Sequence, residues 1–189
     1  MANITIFGQG NMGQAIASVF TAGGNTVNFV GKETDAKLSD IVVLAVPYGA
    51  VASILDNYKE ALKGKILVDI SNPVDFNTMD SLVTPAGSSA AEEIAKLVPD
   101  TTVVKAFNTT FAATLSSKKV ADSVTTTVQL ASDDEAAKAR LAELIQAGGL
   151  KSIDAGALKR ARELEAFGFL QISLAVREQI SWTGGFGVL

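Results

Sequence analysis

The 189-residue chain contains no cysteine and no histidine. Without cysteine there is no disulfide, no thiolate nucleophile and no iron–sulfur ligand set. Without histidine the commonest general base and the commonest metal ligand are both missing. Any chemistry here works without a thiol or an imidazole, and no metal site is expected. Basic runs are lacking too: Lys118 and Lys119 form the one adjacent lysine pair, and the net charge is −4. A nucleic-acid partner is therefore not expected. The longest apolar run, 41–46, is far too short to span a bilayer. The first residues read as a strand rather than a charged-then-apolar leader, so no signal peptide is expected and the expected location is the cytoplasm.

What is present supports a folded core. Hydrophobic residues make up 48% and charged residues 19%, which argues against disorder. The length suits a single domain over 1–189, with 156–189 as a packing or dimerisation appendage. Strands are expected at 3–7, 26–30, 41–46, 65–70, 102–105, 124–131 and 151–154, most of them short, apolar and β-branched. Helices are expected at 14–22, 48–63, 88–97, 133–147 and 158–179. Alternation of this kind predicts an α/β fold, a doubly wound, mostly parallel Rossmann-type sheet of about seven strands. Only ten residues, 31–40, join the second expected strand to the third. Extended, they reach roughly 33 Å. Returning along one strand takes about 17 Å and stepping over a neighbour about 10 Å. The bridge just closes without a helix, so the usual third strand is expected to be deleted, with a single helical turn at 34–38 as the alternative.

The first strand runs into Gly8-Gln9-Gly10-Asn11-Met12-Gly13, glycines at G-x-G-x-x-G spacing ahead of an amphipathic stretch. Gly8 allows a tight turn, Gly10 lets the backbone approach a pyrophosphate, and Gly13 lets helix and strand pack closely. The phosphates would lie on the free N–H groups and positive dipole end of the helix. Gly31-Lys32-Glu33 follows the second strand, where a dinucleotide enzyme reads the adenosine ribose. Lys32 favours the extra phosphate of NADP, while Glu33 leaves NAD as the alternative. Val46-Pro47-Tyr48 ends the third strand at the sheet edge where ligands bind. There the Tyr48 ring could cover a cofactor, or simply pack at a helix start. Asn72 offers a donor and an acceptor near the expected nicotinamide, or forms a turn before Pro73. The set 106–110, with Ala106, Asn108 and Thr109, could bind a carboxamide, face a second ring, or cap a helix. Lys105, ending the fifth strand, and Tyr48 are the candidate acids or bases for an alternative dehydrogenase chemistry.

Several segments together resemble the deazaflavin (coenzyme F420)-dependent NADP oxidoreductases and related dinucleotide-binding reductases: GQGNMG, SDIVVLAVPYGAV, LVDISNPV, GSSAAEEIAKLVPDTTVVKAFNTT, DAGALKRARELEAFGFLQISLA and the glycine-rich end at 183–187. VVKAFNT is also similar to the oxidoreductase domain of the STEAP metalloreductases. The resemblance implies reversible hydride transfer between NADP(H) and a deazaflavin or flavin, with no catalytic side chain beyond positioning. It implies that Gly8 to Gly13 hold the pyrophosphate and 31–33 the adenosine phosphate. It places Val46, Pro47 and Asn72 beside the nicotinamide and Ala106 to Thr109 beside the second ring. Two positions depart from the family pattern: Lys32-Glu33-Thr34 stands where Ser-Arg-Arg is usual, and Asn108 stands near a histidine of archaeal members. Flavin or another small electron acceptor is the alternative to deazaflavin, and a non-catalytic dinucleotide sensor is the alternative to an enzyme. Apolar residues around much of 158–179 predict a homodimer through this helix and the 182–189 tail.

Overall fold

A strand alternates its side chains between two faces. The central strands here are apolar on both, so the sheet must be covered on both sides. The computed structural model describes residues 1–31 and 36–189. In chain order it forms β1 (Asn3–Phe7), α1 (Asn11–Ala22), β2 (Thr26–Val30), β3 (Ile41–Leu44), α2 (Tyr48–Leu62), β4 (Ile66–Asp69), α3 (Ala90–Leu97) and β5 (Thr102–Lys105). There follow α4 (Ala112–Ser117), β6 (Lys119–Val120), β7 (Val124–Thr125), β8 (Thr127–Ala131), α5 (Glu135–Ala147), β9 (Lys151–Gly156) and, after a single 3-10 turn, α6 (Ala161–Val176).

Seven strands make one sheet in the order β2-β1-β3-β4-β5-β8-β9. The first five are mutually parallel. Strand β8 meets β5 antiparallel through one residue pair, Lys105 with Ala131, and β9 then runs parallel to β8. The fold is thus α/β and Rossmann-like with a mostly parallel sheet. Ile4, Ile6, Val43, Val68 and Val104 face one core under α1 and α5. Phe7, Val42, Leu44, Leu67 and Val103 face a second core under α2 and α3. Each of these side chains contributes roughly 1.5–3 kcal/mol on burial.

The expected strand at 124–131 divides. Val124–Thr125 pairs with β6 in a small hairpin, and Thr127–Ala131 joins the main sheet. Fully buried Thr126 is the pivot: its N–H donates to Lys118, its hydroxyl to Thr114 O, and its carbonyl accepts from Lys151 N. The six-residue α4 was not expected from the sequence. The final helix starts at Ala161 rather than 158. Residues 32–35, and with them the Lys32 reading, lie outside the described residues. Among the described residues no helix is long and apolar enough to cross a membrane.

Candidate functional site

The carboxyl ends of parallel strands leave backbone groups and loops pointing to one edge, where ligands bind in such sheets. A cleft of about 580 Å³ opens at that edge, lined by Gly10, Asn11 and Met12 from the glycine loop, Val46, Pro47 and Tyr48 after β3, and Ser71 and Asn72 after β4. Asn108, Phe111, Ile172 and Trp182 close its other side. A hollow of about 780 Å³ lies at the opposite ends of the strands, against Ala2, Asn28, Ser39, Ile41 and Ile66. It is larger, but the described residues that line it include neither the glycine loop nor a helix start, both of which line the smaller cleft.

The three motif glycines have different surroundings. Gly8 turns at φ +103°, and a Cβ there would lie 2.1 Å from Ala45 O. A Cβ at Gly13 would lie 2.1 Å from Gly8 O. Gly8 is required by the close approach of the segment after β3, and Gly13 by the approach of α1 to the turn at Gly8. At Gly10 no described atom beyond its chain neighbours lies within 4 Å of the added atom, and its φ of −72° is open to any residue. No close contact therefore calls for glycine at position 10, which serves the fold as the N-cap of α1, a place glycine fills better than alanine. No side chain caps the N-terminus of α1, and its first turn holds no acidic residue. Its N–H groups and dipole face the cleft free to receive an anion.

Asn72 and Asn108 clasp each other. Asn72 Nδ2 donates to Asn108 O at 2.8 Å, and Asn108 Nδ2 donates to Asn72 Oδ1 at 2.9 Å and to Leu164 O at 2.8 Å. Helix α6 closes on this clasp through Gly168, where a Cβ would fall 2.4 Å from Asn72 Oδ1. The turn into Asn108 is itself tight. Asn108 N donates to Ala106 O across Phe107, which holds φ +62° while fully buried. Positive φ in a bulky residue persists only where packing over-determines it; here the Phe107 ring meets Phe20 edge-on at 5.9 Å. Two buried polar atoms of the cleft lining, Ser71 Oγ and Asn108 Oδ1, have no protein partner.

The other expected residues fall elsewhere. Ala106 is fully buried behind the clasp, and Gly31 is exposed at the end of β2. Thr109 is buried and turns into a separate polar hollow of about 10 Å³ shared with Thr114, Thr126 and Gln171. Lys105 does not reach the cleft. It is fully buried, with Nζ 2.7 Å from Asp69 Oδ2 and 2.8 Å from Glu165 Oε1, and it donates to Ser71 O as well. Its Nζ is surrounded by those oxygens and it does not line the cleft, so it is not placed to act on a bound substrate. Tyr48 does line the cleft; burial, and then the charges of Glu93, Glu165 and Asp69, push its phenol above the ordinary tyrosine value. The aromatic side of the cleft, Phe111 with Trp182 at 4.8 Å, came from segments that carried no motif.

A glycine loop opening a helix, at the carboxyl edge of a mostly parallel sheet, is the arrangement of the Rossmann-type dinucleotide-binding folds. Comparison with known proteins narrows this. The family description "NADP oxidoreductase coenzyme F420-dependent" matches residues 29–73. The chain is 33% identical over 153 residues to the F420-dependent NADP reductase of Methanocaldococcus jannaschii, covering 79% of this chain and 68% of that protein. It belongs to the F420-dependent NADP reductase family. It is also 35% identical over 126 residues to the metalloreductase STEAP3 of Rattus norvegicus, covering 67% of this chain and 24% of that protein. Among solved structures, a protein of Arthrobacter sp. FB24 assigned as an F420-dependent NADP reductase superposes over the whole of both chains, with TM-score 0.86 and 25% identity.

Proposed function

We propose that this chain transfers hydride between NADP(H) and coenzyme F420, with a flavin as the alternative acceptor. The observation that carries the reading is Gly10: a glycine with no close contact among the described residues, at a helix N-terminus that no side chain caps, in a cleft lined by the segments that follow β1, β3, β4 and β5. Gly8 to Gly13 would hold the pyrophosphate, and Gly31 and Lys32 the adenosine end. Val46, Pro47 and Tyr48 would form one wall of the nicotinamide seat and the Asn72–Asn108 clasp another. When bound, the nicotinamide supplies the hydride chemistry. The protein's part is to place two rings and exclude water. Placement needs no acid or base, which agrees with a chain that has no histidine and a buried, committed Lys105.

The single domain, the absence of the strand usually found beyond β2, and NADP over NAD remain part of this proposal. Two cores sharing one sheet support the first. For the second, β2 stands at the end of the described sheet. Lys32 supports the third. Mixing the protein with NADPH and oxidised coenzyme F420 should bleach the deazaflavin's visible absorbance as NADPH is consumed. Reduction of FMN alone would transfer the proposal to a flavin acceptor. Tight NADPH binding with no turnover on either would replace the enzyme with a sensor. In the same assay Lys32→Ala should cut the preference for NADPH over NADH by about tenfold or more, the loss of one charge-assisted contact to phosphate. Equal cofactor use by the parent protein would refute the NADP assignment.

A homodimer through α6 is also proposed. Leu170 and Val176 of α6 are about half exposed, as are Trp182 and Phe186 of the tail. The tail has a seat on its own chain, with Phe186 5.0 Å from Phe167 and Thr183 O accepting from Ala121 N. That seat widens the apolar face around α6. Light scattering at high concentration should give twice the chain mass, and Leu170→Glu should halve it. A monomer at all concentrations would end this proposal.

A further inference from the structure

Three charged side chains with at most 1% exposure stand directly behind the cleft wall: Asp69, Lys105 and Glu165. One ammonium faces two carboxylates, so the ionised cluster carries one surplus negative charge. The fold holds that charge in place. Asp69 Oδ1 accepts from Ser71 N at 2.9 Å. Glu165 Oε2 accepts from Ala90 N at 2.8 Å and Oε1 from Ala91 N at 3.2 Å, at the N-terminus of α3 where the dipole is positive. The cluster is one residue from the cleft. Ser71 lines it, donates to Asp69, and accepts from Lys105 through its carbonyl. Tyr48 lines the same cleft, and its phenol is raised first by burial, then by Glu93, and then by Glu165 and Asp69.

The oxidised nicotinamide ring carries a positive charge that the reduced ring lacks. Every other charge of the two cofactor forms is the same. We propose that the buried Asp69–Lys105–Glu165 cluster favours the oxidised over the reduced cofactor in this cleft, and so shifts the equilibrium of the bound cofactor toward the form that has given up its hydride. The inference rests on the cleft being the nicotinamide seat. The charge acts across a dry side-chain layer, where it is weakly screened. These are positioning residues: they touch neither cofactor nor acceptor.

The test is the ratio of the dissociation constants of NADP+ and NADPH, read by titration against Trp182, the chain's one tryptophan and part of the cleft lining. Glu165→Gln should weaken NADP+ relative to NADPH by roughly tenfold, the order expected of one unit charge acting across one layer at an effective dielectric near 20. Asp69→Asn should move the ratio the same way. Glu163→Gln, an exposed charge on α6, should leave it unchanged. The parent protein supplies a reading that needs no variant. Burial raises the Glu165 carboxyl above the ordinary glutamate value, and Asp69 adds to this, against the lowering by Lys105 and Ala90 N–H. Acidification therefore neutralises Glu165 early, and the ratio should shift toward NADPH as the pH falls. Protonation of the adenosine phosphate affects both forms alike and cancels. Binding of both forms with a ratio unmoved by variant and by pH would overturn the inference while leaving the cleft assignment standing. Failure to bind either form would overturn the cleft assignment itself.

Discussion

Gly10→Ala should fold as well as the parent protein and lose most of its affinity for NADPH. The new methyl group meets no protein atom within 4 Å, and the backbone is already in a region that alanine occupies. The only folding cost is a poorer helix cap, under about 1 kcal/mol. The methyl group would stand where the pyrophosphate must approach α1. Losing about two charge-assisted hydrogen bonds there corresponds to roughly a hundredfold in affinity. Gly8→Ala and Gly13→Ala should behave in the opposite sense. Each places Cβ 2.1 Å from a backbone oxygen, and Gly8 also holds φ +103°. The left-handed backbone and the forced repacking together cost about 2–5 kcal/mol at Gly8. Urea unfolding and NADPH titration on the three variants separate stability from binding. Unchanged NADPH affinity in Gly10→Ala would show that the loop does not seat the pyrophosphate.

Lys105→Met should lower stability by about 3–5 kcal/mol, because breaking a buried pair by removing one partner leaves an uncompensated charge. Here two carboxylates, Asp69 and Glu165, would face each other at 0–1% exposure with no cation between them. A typical domain has only about 5–15 kcal/mol to lose. The pH dependence gives the physical signature. With the lysine gone, the Glu165 carboxyl, already raised by burial and by Asp69, loses the charge that lowers it and rises further above its unfolded value. The stability gained from its protonation is present at low pH and disappears as the pH climbs through the raised value. The variant's deficit relative to the parent should therefore shrink on acidification. Denaturant melts at neutral pH and near pH 5 measure it. A deficit below about 1 kcal/mol at neutral pH would show that the buried lysine is dispensable.

Much of this protein was legible in the sequence where neighbours along the chain decide the outcome. The glycine motif, the β-branched runs and the starts of α3 and α5 are local matters. Ser89 accepts from Glu92 N, and Asp134 from Ala137 N, as their positions before apolar helices foretell. What stayed hidden depends on distant partners. Lys105 at a strand end reads as a side chain free to reach the cleft, and only the arrival of Glu165 from α6 shows it to be bound. Asn72 and Asn108 were both identified as cleft residues, yet nothing local says that their amides are committed to each other. The run 124–128 is uniformly β-branched, so no change of composition marks Thr126 as the point where one strand leaves a hairpin and enters the sheet. Phe111 and Trp182 meet across a long stretch of chain, and neither stands in a recognisable pattern.

The single residue pair between β5 and β8 makes the sheet two parallel blocks joined at a seam. Backbone ladder bonds run through β2, β1, β3, β4 and β5 on one side, and through β8 and β9 on the other. What holds the blocks together is chiefly side chain. Ser132 Oγ donates to Val103 O at 2.7 Å, and Val128, Leu130, Leu141 and Ile145 share one core with the strands across the seam. Hydrogen-bonded elements that part as a unit form separate foldons. The seam marks where this chain divides into two: amides of β8, α5 and β9 would exchange with solvent as a group, from an opened state in which the glycine loop and the strands around it stay closed.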